Sequence, residues 1–161
     1  TRSMKRVSKL NSLLAVNECD PVATEEQFAL FRLYQQSRHA SGDMARMDFV
    51  DYRALIEETP VDSSVLEFRD SEGCLVGACL IDRVANGLSA VYSFFDPDLS
   101  AQSLGTYIIL WLIDYAKELD LPYVYLGFWV DECDKMSYKA KFQPLEHYTP
   151  SGWKLLTESP D

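Results

Sequence analysis

The stretch from Gly87 to Tyr125 constrains the fold more than any other part of the chain. Asn86-Gly87, a strong turn signal, opens a run of β-favouring residues, Leu88–Phe95, which Asp96-Pro97-Asp98 ends. From Ser103 to Leu119, the residues Leu104, Tyr107, Ile108, Trp111, Leu112, Tyr115 and Leu119 recur near helical spacing, the clearest helix signal present. Leu121-Pro122 stops that helix and Tyr123 begins another strand. Such a helix starts where the preceding strand ends. Its first amides then face the strand's carboxyl edge, a place that favours anionic ligands.

The other elements arrange themselves around this unit. Glu25–Arg38, with Phe28, Phe31, Leu33 and Tyr34 and with Thr24 as a candidate N-cap, reads as a helix broken by Ser41-Gly42-Asp43. Asp48–Glu57 reads as a second, short helix closed by Pro60. Ser64–Asp70 and Cys74–Arg83 read as a hairpin turned at Ser71-Glu72-Gly73. A strand Tyr123–Val130, a short helical segment to Ala140, and strands Phe142–Tyr148 and Gly152–Leu156 complete the series. A hairpin meander leading into strand–helix–strand predicts an α/β (α+β) fold, a mixed and mostly antiparallel sheet flanked by helices. A chain of 161 residues fits a single domain, expected over 1–161.

Charge is distributed unevenly. Arg2, Lys5, Arg6 and Lys9 sit in residues 1–11 without an acid, and Lys135, Lys139 and Lys141 in residues 135–141 likewise. The remaining 143 residues carry 8 basic and 25 acidic side chains. That bulk acidity argues against DNA or any broad nucleic-acid surface, and leaves two basic islands able to grip a short piece such as an end. From charge alone, residues 1–11 read equally as a solvated tail. Lys135 and Lys139 are four apart, so on a helix their charges would repel, and an anion between them would explain the pair.

Four scattered cysteines and two histidines, with no Cys-x-x-Cys pair, make a metal centre within this chain unexpected. No apolar run approaches a membrane span, and thiols of this kind read as reduced, so a cytoplasmic location is expected.

The element order resembles the N-acetyltransferase-like (GNAT) fold. RSMKRVSKLN at Arg2–Asn11, YQQSRHASGDM at Tyr34–Met44, FFDPDLSAQSLGTY at Phe94–Tyr107 and YLGFWVDECDKMSYKAKFQPLE at Tyr125–Glu146 narrow it. All four look like segments of aminoacyl-tRNA–protein transferases, nearest the bacterial leucyltransferase branch, with eukaryotic arginyltransferases sharing the C-terminal segments. The resemblance implies transfer of Leu, or less readily Arg, from tRNA to the α-amine of proteins with N-terminal Asp or Glu, marking them for degradation. It implies partners in the acceptor end of an aminoacyl-tRNA and in such proteins, with no cofactor in this chain. It further implies that residues 1–20 are a basic arm or connection following an N-terminal region that this sequence lacks. Two other functions stay open: an acyl-CoA-dependent N-acetyltransferase, for which Ser103-Leu104-Gly105 offers only one glycine, and a non-catalytic module that binds N-terminal residues.

An aminoacyl ester is already activated, so a neutral amine attacks it without a covalent enzyme intermediate. The protein must then position the ends, stabilise the oxyanion and handle one proton. The resemblance implies catalytic roles for Tyr34, Arg38, His39, Tyr92 and Tyr125. Arg38 would pair with the acceptor's acidic side chain and Asp43 would hold its ammonium. Arg38 would otherwise serve the carbonyls of a helix end, Asp43 would cap a turn, and strand tyrosines would belong to the core. Arg6, Lys135, Lys139 and the amides of Ser103, Leu104 and Gly105 would hold tRNA phosphate or the terminal ribose; the alternatives are a solvated face and a plain helix start.

Overall fold

A computed structural model describes residues 1–128 and 137–156. In it β4 (Gly87–Phe95), α4 (Leu104–Glu118) and β5 (Tyr123–Tyr125) form the expected crossover, and β4 pairs with β5 in parallel. The sheet continues outward through β3 (Leu75–Val84) and β2 (Ser63–Arg69) to β1 (Ala15–Cys19), every further pair antiparallel, in the spatial order β1-β2-β3-β4-β5. The β2–β3 turn is chemically specified. Asp70 Oδ1 accepts from the amides of Glu72 and Cys74, each at 2.9 Å, and Gly73 supplies the left-handed φ of +84°.

Helices cover both faces of this sheet. On one face lie α1 (Arg2–Leu10) and α4, whose Val7, Leu104, Ile108 and Leu112 meet Leu66, Phe68, Cys79 and Ile81. On the other lie α2 (Glu25–Arg38) and α3 (Phe49–Glu57), whose Phe31, Tyr52 and Ile56 meet Val65, Ala78 and Leu80. Alternate residues of β2 and β3 thus serve opposite cores, which is why these strands read as continuous apolar runs. Thr24 caps α2 as expected, and with Gln27 it closes a capping box that the structure adds.

Residues 2–10 are helical, with Val7 in the core. Asn11 Nδ2 ties the end of α1 to the carbonyls of Val7 (2.9 Å) and of Gln102, just before α4 (2.8 Å). The solvated tail weighed from charge alone is therefore not what forms. Arg2, Lys5, Arg6 and Lys9 are all exposed, and at 3.6 residues per turn they fall within an arc of about 100°, opposite Val7 and Asn11.

Thr1–Tyr125 is one compact unit and Leu126–Asp161 a second. The strand expected to run to Val130 ends at Tyr125, and Gly127 adopts φ +78°. In the second unit Ser137–Lys141 is a 3-10 turn. The hairpin of β6 (Glu146–Thr149) and β7 (Gly152–Leu155) follows, with Tyr148 and Trp153 ring centroids 5.3 Å apart. Among the described residues no helix is long and apolar enough to cross a membrane.

Cys79 is fully buried in β3, and burial pushes its thiol from 9.0 to about 12. Between these values the unfolded chain gives up the proton and the folded one keeps it. Stability therefore falls as pH rises through that window. The urea midpoint of the wild type should decline from about pH 9 towards about pH 11, and Cys79→Val should flatten the decline. An equally steep fall in Cys79→Val would remove this thiol from the account.

Candidate functional site

The buried face of α2 runs toward the carboxyl end of β4, placing polar groups beneath an aromatic layer. At its start Gln27 Nε2 donates to Glu67 at 2.9 Å, and Gln27 Oε1 accepts from the Tyr52 hydroxyl at 3.1 Å. Two turns on, Gln35 is buried, and its Nε2 donates to the hydroxyl oxygen of Tyr92. At the helix end are Tyr34, Arg38 and the C-cap His39.

Tyr92 faces α2 because of a bulge. Leu80 pairs with Tyr92 but Ile81 pairs with Ala90, so Val91 is the extra residue in β4. Leu88 and Ala90 belong to the α4-side core. Strict alternation would have sent Tyr92 and Phe94 there as well. The extra residue reverses the phase, and both pack against the α2–α3 core. Burial, the nearby Tyr34 phenol and, in the opposite sense, the Gln35 hydrogen bond act on Tyr92, whose pKa is pushed up to about 12. Burial also raises that of Tyr34, against the pull of Arg38. Both phenols stay protonated at neutral pH and can donate.

Phe95 joins the two helices at the end of β4. The Tyr34 ring meets it edge-on at 4.9 Å between centroids, and Arg38 Cζ lies 5.1 Å from its centre. Gly105 touches it from α4, where a Cβ would come within 2.9 Å of Phe95 Cε1. His39 stacks edge-on against Tyr34 at 5.7 Å. Arg38 is exposed and pairs with no carboxylate among the described residues. Asp43, also exposed, opens the 3-10 turn Asp43–Arg46 that follows α2.

α4 begins without a side-chain cap. Ser103 takes a left-handed conformation (φ 53°, ψ 48°), and its hydroxyl makes no capping bond. The first-turn amides at Leu104 and Gly105 therefore stay available for an anion, beside the Phe95 ring, while the Leu104 side chain is core. On its outer side β4 pairs with β5 only at Gly87–Ser89. Among the described residues no strand covers that edge from Ala90 onward.

Not every residue singled out from sequence joins this cluster. Tyr125 pairs with Ser89 and donates to Asn86 Oδ1 at 2.9 Å, at the opposite end of β4 from Phe95. Arg6 lies on the outer face of α1. In the second unit Lys139 is buried, its ammonium donating to the Phe128 carbonyl at 2.7 Å, and burial lowers its pKa. Lys135 lies outside the described residues. Phe95 and Gln35 were missed: the first reads as an ordinary strand aromatic, and the second sits in a polar run, Gln35-Gln36-Ser37, with nothing to mark it as buried. Among the described residues no group of three or more His, Cys, Asp or Glu is placed to hold a metal ion.

Residues 26–149 match the family model for the C terminus of arginine-tRNA-protein transferase. The chain is 53% identical, over 95% of its length, to the aspartate/glutamate leucyltransferase of Paramagnetospirillum magneticum, of which it covers 63%. It is 49% identical over 99% of its length to that of Granulibacter bethesdensis, of which it covers 60%. It thus spans about three fifths of these relatives. Among solved structures it is similar to the PaiA N-acetyltransferase of Thermoplasma acidophilum in complex with coenzyme A. That match has a TM-score of 0.57 and 11% identity, covering 86% of this chain and 95% of the other. A Klebsiella pneumoniae protein assigned as an acyl-CoA N-acyltransferase gives a TM-score of 0.56 at 16% identity, with coverages of 86% and 88%. At such identities the likeness is one of fold, and the fold is of the N-acetyltransferase type.

Proposed function

Because the chain belongs to the arginyl-tRNA–protein transferase family, we propose that it moves leucine from the ester of leucyl-tRNA to the α-amine of proteins that begin with Asp or Glu. The observation that carries this reading is Arg38: an exposed guanidinium without a carboxylate partner among the described residues, laid over Phe95 beside two protonated phenols and an uncapped helix start. Arg38 binds the acceptor's acidic side chain, and Asp43 holds its ammonium before deprotonation. Tyr34 and Tyr92 donate toward the reacting ester, and His39, against Tyr34, relays to solvent the proton that the ammonium loses before attack. Proteins so modified become substrates for degradation in the cytoplasm.

On the tRNA side, the amides of Leu104 and Gly105 meet the terminal phosphate or ribose, while the Ser103 amide expected to join them donates to the Ser100 carbonyl at 3.2 Å. Arg6 takes acceptor-stem phosphate, and so do Lys135 and Lys139 of the second unit. An ammonium carries three N–H donors, so the Phe128 bond leaves Lys139 room for a phosphate oxygen. The α1 stripe supports the assignment of Arg6, since three more cations share its face. Replacing Arg2, Lys5, Arg6 and Lys9 by alanine should make the slope of log affinity against log salt shallower, by about 0.7–0.9 for each phosphate that is no longer neutralised. An unchanged slope would take α1 out of the tRNA interface.

Transfer itself is tested with radiolabelled leucyl-tRNA and arginyl-tRNA and peptides beginning with Asp, Glu or Ala. Label should pass from leucyl-tRNA to the acidic peptides. No transfer from either tRNA, or tight acetyl-CoA binding with acetylation of the same peptides, would overturn the reading.

A further inference from the structure

We propose that Gln35 is a positioning residue for this transfer, aiming the Tyr92 O–H at the ribose oxygen that leaves; the inference rests on the aminoacyl-transfer reading above. Gln35 is only 1% exposed, and its Nε2 donates to the Tyr92 oxygen. A phenol oxygen that accepts from a fixed donor keeps its own proton for a different acceptor. The other half of the amide is unsatisfied: Gln35 Oε1 is buried with no hydrogen-bond partner among the described residues. A buried carbonyl left this way costs about 1–3 kcal/mol, a cost that leucine or methionine at position 35 would not carry. Stability therefore does not account for the glutamine, whereas holding the Tyr92 oxygen does. The Val91 bulge serves the same pair, since it turns Tyr92 toward α2.

In the transfer step the neutral acceptor amine attacks the ester carbonyl and the C–N bond forms. The C–O bond to the ribose breaks as Tyr92 hands its phenolic proton to the departing oxygen. The tyrosinate then takes up the proton that the attacking nitrogen loses. An amide and a free ribose hydroxyl result, and the enzyme ends with the protons it began with. A Tyr92 phenol that is protonated at neutral pH meets the requirement for the donor, and Gln35 decides where its proton points.

The test compares Gln35→Met, Gln35→Glu, Tyr92→Phe and the double variant Gln35→Met/Tyr92→Phe, in single turnovers over a range of leucyl-tRNA and Asp-peptide concentrations up to saturation. Gln35→Met keeps the length and removes the donor. It should lower the rate about 10- to 100-fold, a part of what a positioned acid contributes, with both KM values unchanged. Gln35→Glu, which accepts where glutamine donates, should lose at least as much. In the Tyr92→Phe background Gln35→Met should have no further effect. An equal loss in both backgrounds, or a loss confined to KM, would overturn the positioning role. A readout independent of activity is the ionisation of Tyr92 in protein carrying 13C-labelled tyrosine, its signal assigned by Tyr92→Phe. It should titrate at higher pH in Gln35→Met, and a titration that does not move overturns the inference. Wild-type protein that transfers from neither tRNA would instead overturn the reading of function, with the Tyr92 titration still reporting on the pair.

Discussion

Arg38→Ala should lower kcat/KM for peptides beginning with Asp or Glu by about 10- to 150-fold and leave aminoacyl-tRNA affinity unchanged. The range corresponds to the roughly 1.5–3 kcal/mol of a hydrogen bond to a charged group, at a factor of ten per 1.4 kcal/mol. The size follows from preorganisation. Phe95 holds the guanidinium at 5.1 Å from its ring, so little side-chain freedom remains to be lost when a carboxylate arrives. Lysine at 38 keeps the charge and loses the planar fork, so Arg38→Lys should recover only part of the loss. Arg38→Glu should reverse the preference, disfavouring Asp and Glu more than Ala at the acceptor N-terminus. Initial rates with Asp-, Glu- and Ala-peptides, set beside tRNA binding by gel shift, separate the outcomes. Equal losses in tRNA binding and peptide use would mean that Arg38 does not read the acceptor.

The parts of this molecule that repeat with a period could be read directly, and the parts that depend on a break in period could not. Glu25–Arg38 is helical over the expected residues, and the Leu104–Glu118 helix follows its strand as its apolar spacing requires. The edge strand Ala15–Cys19 was invisible because it is short and mostly exposed, with no clean alternation. Helix α1 was equally obscure, because Val7 is its only buried residue and four cations dominate its composition. Of the clustered residues, Tyr34, Arg38, His39 and Asp43 stand out from one family segment, Tyr92 lies outside all four, and Phe95 lies inside one without standing out. The geometry of the site was not legible: alternation along β4 predicts Tyr92 on the α4 side, and one additional residue at Val91 places it beside Gln35. Tyr125 shows the converse case. It belongs to a family segment, yet its hydroxyl meets Asn86 at the far end of β4.

Phe95→Ala should cost about 3–5 kcal/mol of stability, and the same substitution should reverse the effect of Gly105→Ala. Phe95 is nearly buried between α2 and α4, so its removal leaves a cavity under Tyr34 and Arg38. In the wild type a Cβ at 105 would stand 2.9 Å from Phe95 Cε1 and 3.1 Å from Cζ, forcing the ring to shift. Overpacking of this kind costs about 1–3 kcal/mol, against a helix-propensity gain of up to about 1 kcal/mol for alanine over glycine. Gly105→Ala alone should therefore be neutral to destabilising by about 2 kcal/mol, and should reduce transfer beyond what stability explains, because the ring it moves supports Arg38. Without the ring the clash is gone and only the propensity gain remains, so Gly105→Ala should stabilise Phe95→Ala by a few tenths to about 1 kcal/mol. Urea unfolding of the four proteins measures the coupling. A cost for Gly105→Ala that is the same in both backgrounds would mean that the ring is not what requires glycine there. The requirement would then fall on the space above the first turn of α4, where the tRNA end is proposed to lie.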